Sequence, residues 1–267
     1  MLGKNMQNEI WNSLNKSFTV FDIMTDRDYW DTITINDIKT EKEFTDSILI
    51  YDATPILANG LIDSFILKNN PEKVCEITKE WLITSDTTIP DLIEIFVNTN
   101  KPALFVFQKQ ELVGLITPAD LNKIEARLFI YILIGQLELT LVEFIKNAGK
   151  LSTEEIFACL SGKRQREVNR MHTKMTKNDV YLDSQLFELL NFSDLINILC
   201  KSPNLSNRIN LFTQDNERLN LDCITDLRNE IMHLVKPLIE NKYKSLKKLC
   251  DSISQIELLF DRITEAT

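Results

Sequence analysis

The apolar positions change their period near residue 123. Before it they come in short runs. PALFVF, Pro102–Phe107, is a continuous apolar run of strand length, QKQE is a polar turn, and LVGLIT, Leu112–Thr117, reads as a second strand. PDLIEIFVNTN, Pro90–Asn100, has helical spacing, with Asp86 as the expected N-cap and Pro90 in the opening turn. PADLNK, Pro118–Lys123, gives a further short helix. A weaker copy lies upstream: SILIYD, Ser47–Asp52, is strand-like, and ILANGLIDSF, Ile56–Phe65, takes the place of LVGLITPADL. Two related halves roughly 55 to 60 residues apart make an internal repeat.

After residue 123 the spacing is helical and strand signals nearly vanish. It predicts helices over 124–147, 152–170, 184–201, 219–239 and 243–264, with loops over 171–183 and 202–218. Ser152 and Glu155 form a capping box at the start of the second. Connections this short favour an antiparallel bundle. The expected fold class is therefore α+β, with an α/β repeat module over 1–123 and an all-α module over 124–267. No Gly- or Pro-rich linker separates them, and helix 124–147 begins at the boundary, which predicts a rigid coupling.

Composition narrows the function classes. The net charge of −9 disfavours broad coating of nucleic acid and binding to anionic membranes, but leaves room for a local basic site. The five cysteines, Cys75, Cys159, Cys200, Cys223 and Cys250, are scattered without a C-x-x-C pair, so reduced thiols are expected and no metal site. The N-terminal MLGKNMQNEIW has no apolar signal region. The apolar stretch Leu128–Ile145 contains Gln136, Glu138 and Glu143. A carboxylate in the middle of a membrane costs about 2.5 kcal/mol or more, so a bundle helix is the expected form. The expected protein is cytoplasmic, with no membrane partner.

GLITPAD places Gly114, Thr117 and Asp120 at three-residue steps across a strand-to-helix junction. A glycine lets a ligand approach the backbone, a threonine at a helix start can bond a phosphate, and an aspartate can accept from two ribose hydroxyls. The same spacing serves equally as a helix cap followed by a solvated carboxylate, and Lys123 beyond it as a solvated lysine or a phosphate contact. The order helix, strand, hairpin, strand, G-x-x-T-x-x-D, helix resembles the CBS domain, with LFVFQKQELVGLITPADL matching its second half. CBS domains work as pairs, and the degenerate first copy supplies the partner. The resemblance implies a regulatory adenosine-type nucleotide (AMP, ADP, ATP or similar) bound by Gly114, Thr117 and Asp120. In the first copy, matched on Gly60, Asp63 stands for Thr and Ile66 for Asp, which implies one intact site per pair.

The second constellation is LRNEIMH, Leu227–His233, which holds one of only two histidines. Ile224, Leu227, Ile231, Leu234 and Leu238 form an apolar stripe. His233 lies opposite, in line with Asp222, Asp226 and Asn229, with Arg228 on the flank. Pro237 leaves the carbonyl of His233 without its helical donor, so a kink is expected there. A surface helix with a chance Arg and His has this pattern. So does metal-free phosphodiester chemistry, in which His is the general acid or base and Arg stabilises phosphate charge. R-N-x-x-x-H on a late helix of a small all-α domain resembles the HEPN family. Its active members are metal-independent endoribonucleases with a composite site across a homodimer. The resemblance implies catalytic roles for Arg228, Asn229 and His233, with Glu138 as a nearby acidic residue. The Lys- and Arg-rich run Lys163–Lys177 is either an RNA guide or a solvated helix end, and His172 within it is expected in a loop.

The combined expectation is a nucleotide-regulated, metal-independent endoribonuclease of HEPN type. RNA is its substrate, no cofactor serves catalysis, and the resemblance implies a defence or toxin-like role with an antitoxin or regulatory partner. The alternative is a non-catalytic HEPN dimerisation or partner-binding module, switched by the nucleotide on the CBS pair.

Overall fold

A computed structural model describes residues 13–14, 16–34, 51–176, 183–212, 219–233 and 235–267. Most of the expected strand Ser47–Asp52 lies outside them. The chain divides into two compact units: Asn8–Phe129 with Val235–Cys250, and Ile130–Leu234 with Met1–Gln7 and Asp251–Thr267.

The first unit carries every strand among the described residues. After a short helix α1 (Val20–Ile23) come β1 (Thr25–Asp26), β2 (Ile33–Thr34), β3 (Ala53–Ala58), β4 (Leu61–Leu67), β5 (Asn70–Glu76) and β6 (Leu82–Thr84). Helix α2 (Ile89–Thr99) leads to β7 (Leu104–Gln108) and β8 (Glu111–Ile116), then to a 3-10 turn, Pro118–Asn122. Two four-stranded sheets result, ordered β2-β3-β4-β5 and β1-β8-β7-β6. In each, a parallel pair (β2 with β3, β6 with β7) is followed by a hairpin (β3-β4, β7-β8). An antiparallel strand closes each far edge, β5 on β4 and β1 on β8.

The two sheets are copies at a step of 50 residues. The register slips after Ile56 in one and after Val106 in the other, and the hairpins close on Ala58↔Leu61 and Gln108↔Glu111. Both turns have two left-handed residues, Asn59 and Gly60 at φ 52° and 79°, Lys109 and Gln110 at 49° and 80°. These are the dihedral signs of a type I′ hairpin. Matching Gly60 to Gly114 therefore set the repeat too long: Gly60 is a turn glycine, and the residue facing Gly114 in the copy is Ser64. Thr117 and Asp120 correspond to Leu67 and Asn70. The core between the sheets is aromatic. The Phe65 and Phe105 rings lie 5.0 Å apart, with Trp81 against Phe65 at 4.8 Å and Trp30 against Phe105 at 6.0 Å. Helix α2 is capped by Thr88, whose hydroxyl accepts from the Asp91 N–H, rather than by Asp86; Pro90 sits in its first turn as expected.

Beyond Ile116 the described residues contain no strand. Helix α3 (Ile124–Phe144) runs on into a π turn, Ile145–Gly149. The expected helix 152–170 is two, α4 (Thr153–Cys159) and α5 (Gly162–Thr176). Leu160 is extended, and Ser161 restarts the helix by accepting from the Arg164 N–H. The Ser152–Glu155 capping box is present. His172 lies on α5, not in a loop. A 3-10 segment (Asp183–Leu189) precedes α6 (Phe192–Lys201). Ser202 and Pro203 then open α7 (Pro203–Arg208), inside an expected loop. Helix α8 is Leu221–Met232, and α9 is Lys242–Ala266. The expected helix 219–239 ends at Met232, five residues before Pro237, which has no N–H for the His233 carbonyl. His233 leaves helical geometry at φ −99°, ψ 77°.

The helices of the second unit are pinned by polar ties. The Arg164 guanidinium donates from Nε to Asp194 Oδ2 at 2.7 Å and from Nη2 to the Leu189 carbonyl at 2.7 Å, and pairs with Glu167 at 2.9 Å. These ties outweigh the burial of the guanidinium and hold its pKa above the ordinary arginine value. Lys201 Nζ donates to the Cys159 carbonyl at 2.7 Å, and Arg262 Nη1 to the Asn210 carbonyl at 2.7 Å.

Candidate functional site

The T-x-x-D turn is built by the end of β8. Gly114 and Ile116 are buried, and the chain turns at Thr117 into the 3-10 segment. Asp120 folds back so that its Oδ2 accepts from the Thr117 N–H at 2.7 Å and from the Thr117 hydroxyl at 2.9 Å. Its Oδ1 accepts from Lys123 Nζ at 2.8 Å and from the Thr25 hydroxyl at 3.5 Å. The carboxylate is buried and both its oxygens are engaged. Lys123, half-buried, also donates to the carbonyls of Ile23 at 2.7 Å and Met24 at 3.1 Å. One ammonium thus holds the last carbonyls of α1 against the turn.

The space above Gly114 is also filled. A Cβ built on Gly114 would lie 2.3 Å from Met24 Sδ, so the missing side chain admits the thioether of Met24. Its φ is not in the left-handed range, so packing rather than backbone freedom calls for glycine. Gly114, Thr117 and Asp120 are therefore adjacent, as their spacing implies, around a turn that the chain itself satisfies. Met24, Thr25 and Lys123 complete this cluster. Only register could have placed Thr25 there: β1 pairs Thr25 with Leu115.

The second constellation sits at the end of α8. Ile224, Leu227 and Ile231 are buried, while Asp222, Asp226, Asn229 and His233 are exposed, so the polar line faces outward. Leu234 lies outside the described residues, and Leu238 is buried past the helix end. Arg228, half-buried, directs Nη1 to Asn229 Oδ1 at 3.5 Å. His233 is the C-cap, its N–H donating to the Glu230 carbonyl at 3.1 Å. Glu138 is half-exposed on α3. The basic run is partly structural, since its Arg164 ties the bundle together. Among the described residues no three His, Cys, Asp or Glu side chains could hold a metal. Burial pushes the thiols of Cys159, Cys200 and Cys223 up.

Helix α3 with its π turn is long and apolar enough to cross a membrane, and half of that stretch is buried within the protein.

No family model matches the chain, and no curated protein does. Solved structures similar to part of it are CBS-domain proteins. A hemolysin-like protein containing a CBS domain, from Oenococcus oeni PSU, is 17% identical with a TM-score of 0.31, covering 43% of this chain and 93% of that one. The CBS domain of a bacterial CNNM/CorC family Mg2+ transporter, in complex with ATP, is 13% identical with a TM-score of 0.32, covering 43% and 92%. CBSX2 in complex with AMP is 15% identical with a TM-score of 0.30, covering 39% and 92%.

Proposed function

We propose that the first unit is a CBS-type pair that senses an adenosine nucleotide, and that the helical unit is the module it regulates by binding a partner. The observation that carries this reading is the repeat itself. Two sheets of one strand order, 50 residues apart in sequence, exchange edge strands, and only the second ends on a T-x-x-D turn. The copy has Leu67 and Asn70 there, so one ligand per chain is expected. A ribose diol would take over Asp120 Oδ1 from Thr25 and Lys123, and the released ammonium would meet a phosphate. Calorimetry of the whole chain with AMP, ADP, ATP and S-adenosylmethionine tests this. One of them binds with a stoichiometry of one, and Asp120→Ala removes the binding. Equal binding by Asp120→Ala rules out the ribose role.

Cleavage of RNA is a second reading. It is favoured by the outward placement of Arg228, Asn229 and His233, which suits a large substrate. His233 would move the proton of the 2′-hydroxyl or of the leaving oxygen, and Arg228 would stabilise the phosphate. In EDTA, wild type would cleave mixed RNA while Arg228→Ala and His233→Ala, both folded, would not. Activity that persists in both variants removes the assignment.

A further inference from the structure

Helix α3 has two apolar sides, and only one of them is buried. Phe129, Leu133, Leu137 and Leu141 are fully buried, as core positions should be. The other side is also apolar and lies open: Ile124 is 60% exposed, Leu128 44%, Tyr131 52% and Leu139 61%. A surface helix normally turns one apolar side to the core and a polar side to water. Scattered exposed leucines need no explanation, but a continuous row of them does.

The row has a symmetry. Ile124, Leu128, Tyr131, Gly135, Leu139, Val142 and Lys146 follow steps of 4, 3, 4, 4, 3 and 4, which read the same in both directions from Gly135. The mean step of about 3.67 residues keeps the row nearly straight along a helix. The geometry points to a second copy of this chain as the occupant, packed antiparallel through a two-fold axis at Gly135. About that axis Tyr131 faces the partner's Leu139, and Leu128 faces the partner's Val142. Gly135 lies at the crossing, where a missing side chain lets two helices approach. A Cβ built there meets nothing within 4 Å in the single chain.

The charges agree with this orientation. The acidic Glu125 lies at the first turn of the row and Lys146 at its far end, so the antiparallel pairing sets Glu125 beside the partner's Lys146. Lys146 Nζ rests 4.9 Å above the Phe187 ring, which holds it at that end. A parallel pairing would set like charges together. Glu138 and Glu143 border the row, and hydrocarbon would reject them where a wet protein rim accepts them. An isologous contact of this kind closes as a dimer. It stands independently of the nucleotide reading.

The test is sedimentation equilibrium of the whole chain across concentration. A reversible dimer is expected, and Leu139→Glu raises its dissociation constant at least tenfold with an unchanged circular dichroism spectrum. Lys146→Glu weakens the dimer, and the double variant Glu125→Lys with Lys146→Glu restores it. Gly135→Cys oxidises to a covalent dimer faster than wild type, because only a residue on the axis meets its own copy. A monomer at all concentrations, a dimer indifferent to Leu139→Glu, or binding of the wild type to lipid vesicles that Leu139→Glu abolishes would each overturn the proposal.

Discussion

The hairpin turns of the two sheets in the first unit share their dihedrals although their sequences differ. Asn59-Gly60 suits a hairpin turn in which both residues are left-handed, while Lys109-Gln110 takes the same dihedrals without either preference. The strands set the turn in the second copy, and the turn helps set the strands in the first. At the strand ends too the copies share position but not chemistry, with Ser64, Leu67 and Asn70 standing where the second copy has Gly114, Thr117 and Asp120. Repeated backbone thus carries the fold, and a few side chains decide which copy has a site.

The sharpest way to break that comparison is Gly114→Ala. The new methyl meets Met24, and overpacking predicts a loss of about 1–3 kcal/mol in denaturant unfolding. Ser64→Ala, at the same place in the other sheet, should change stability by no more than about 0.5 kcal/mol. Adding Met24→Ala should make the Gly114→Ala effect markedly less than additive. Next comes Asp120→Ala, which removes the acid that holds the turn and pairs with Lys123. A loss of about 1–2 kcal/mol is expected, against almost none for Asn70→Ala. Exchanging the turns is milder. Lys109→Asn with Gln110→Gly should stabilise by about 1 kcal/mol, and Asn59→Lys with Gly60→Gln should cost a similar amount. The smallest effect separates the units rather than the copies. The raised thiols of Cys159, Cys200 and Cys223 all lie in the helical unit. A pKa raised by folding gives stability that is complete below the ordinary thiol value of about 9 and is lost as pH rises through the folded value. Hydrogen exchange at rising alkaline pH should therefore show the helices α4, α6 and α8 loosening before the sheets.

How much of this was legible follows from physical range. Local signals were read well. The hairpin 104–116, the Ser152 cap and the outward polar line of α8 all depend on residues within a few positions of one another. What failed was non-local or rested on the wrong residue. The two glycines that suggest the repeat serve different ends, Gly60 a left-handed turn and Gly114 a packing gap for Met24. Asp86 and Thr88 both precede α2, and only Thr88 has Asp91 three residues on. The apolar stripe continues past His233, but the helix ends at Met232. The engagement of Asp120 by Thr25 depends on β1 pairing with β8 across some ninety residues, as Thr25 and Leu115 do, and no local pattern encodes that.

The membership of Val235–Cys250 in the first unit has a consequence for synthesis. Asn122 bonds the Ile239 backbone in both directions, donating to its carbonyl at 3.2 Å and accepting its N–H at 2.8 Å, and Arg127 Nη1 donates to the Lys236 carbonyl at 2.9 Å. Residues 130–234 must leave the ribosome before these bonds can form. The entropy of closing so long a loop grows only logarithmically with its length, so the delay weighs on timing more than on final stability. The N-terminal half, first to be translated, is therefore not finished until residues 235–250 emerge. A nascent chain arrested before residue 235 would present its sheets with Asn122 and Arg127 still waiting for their backbone partners.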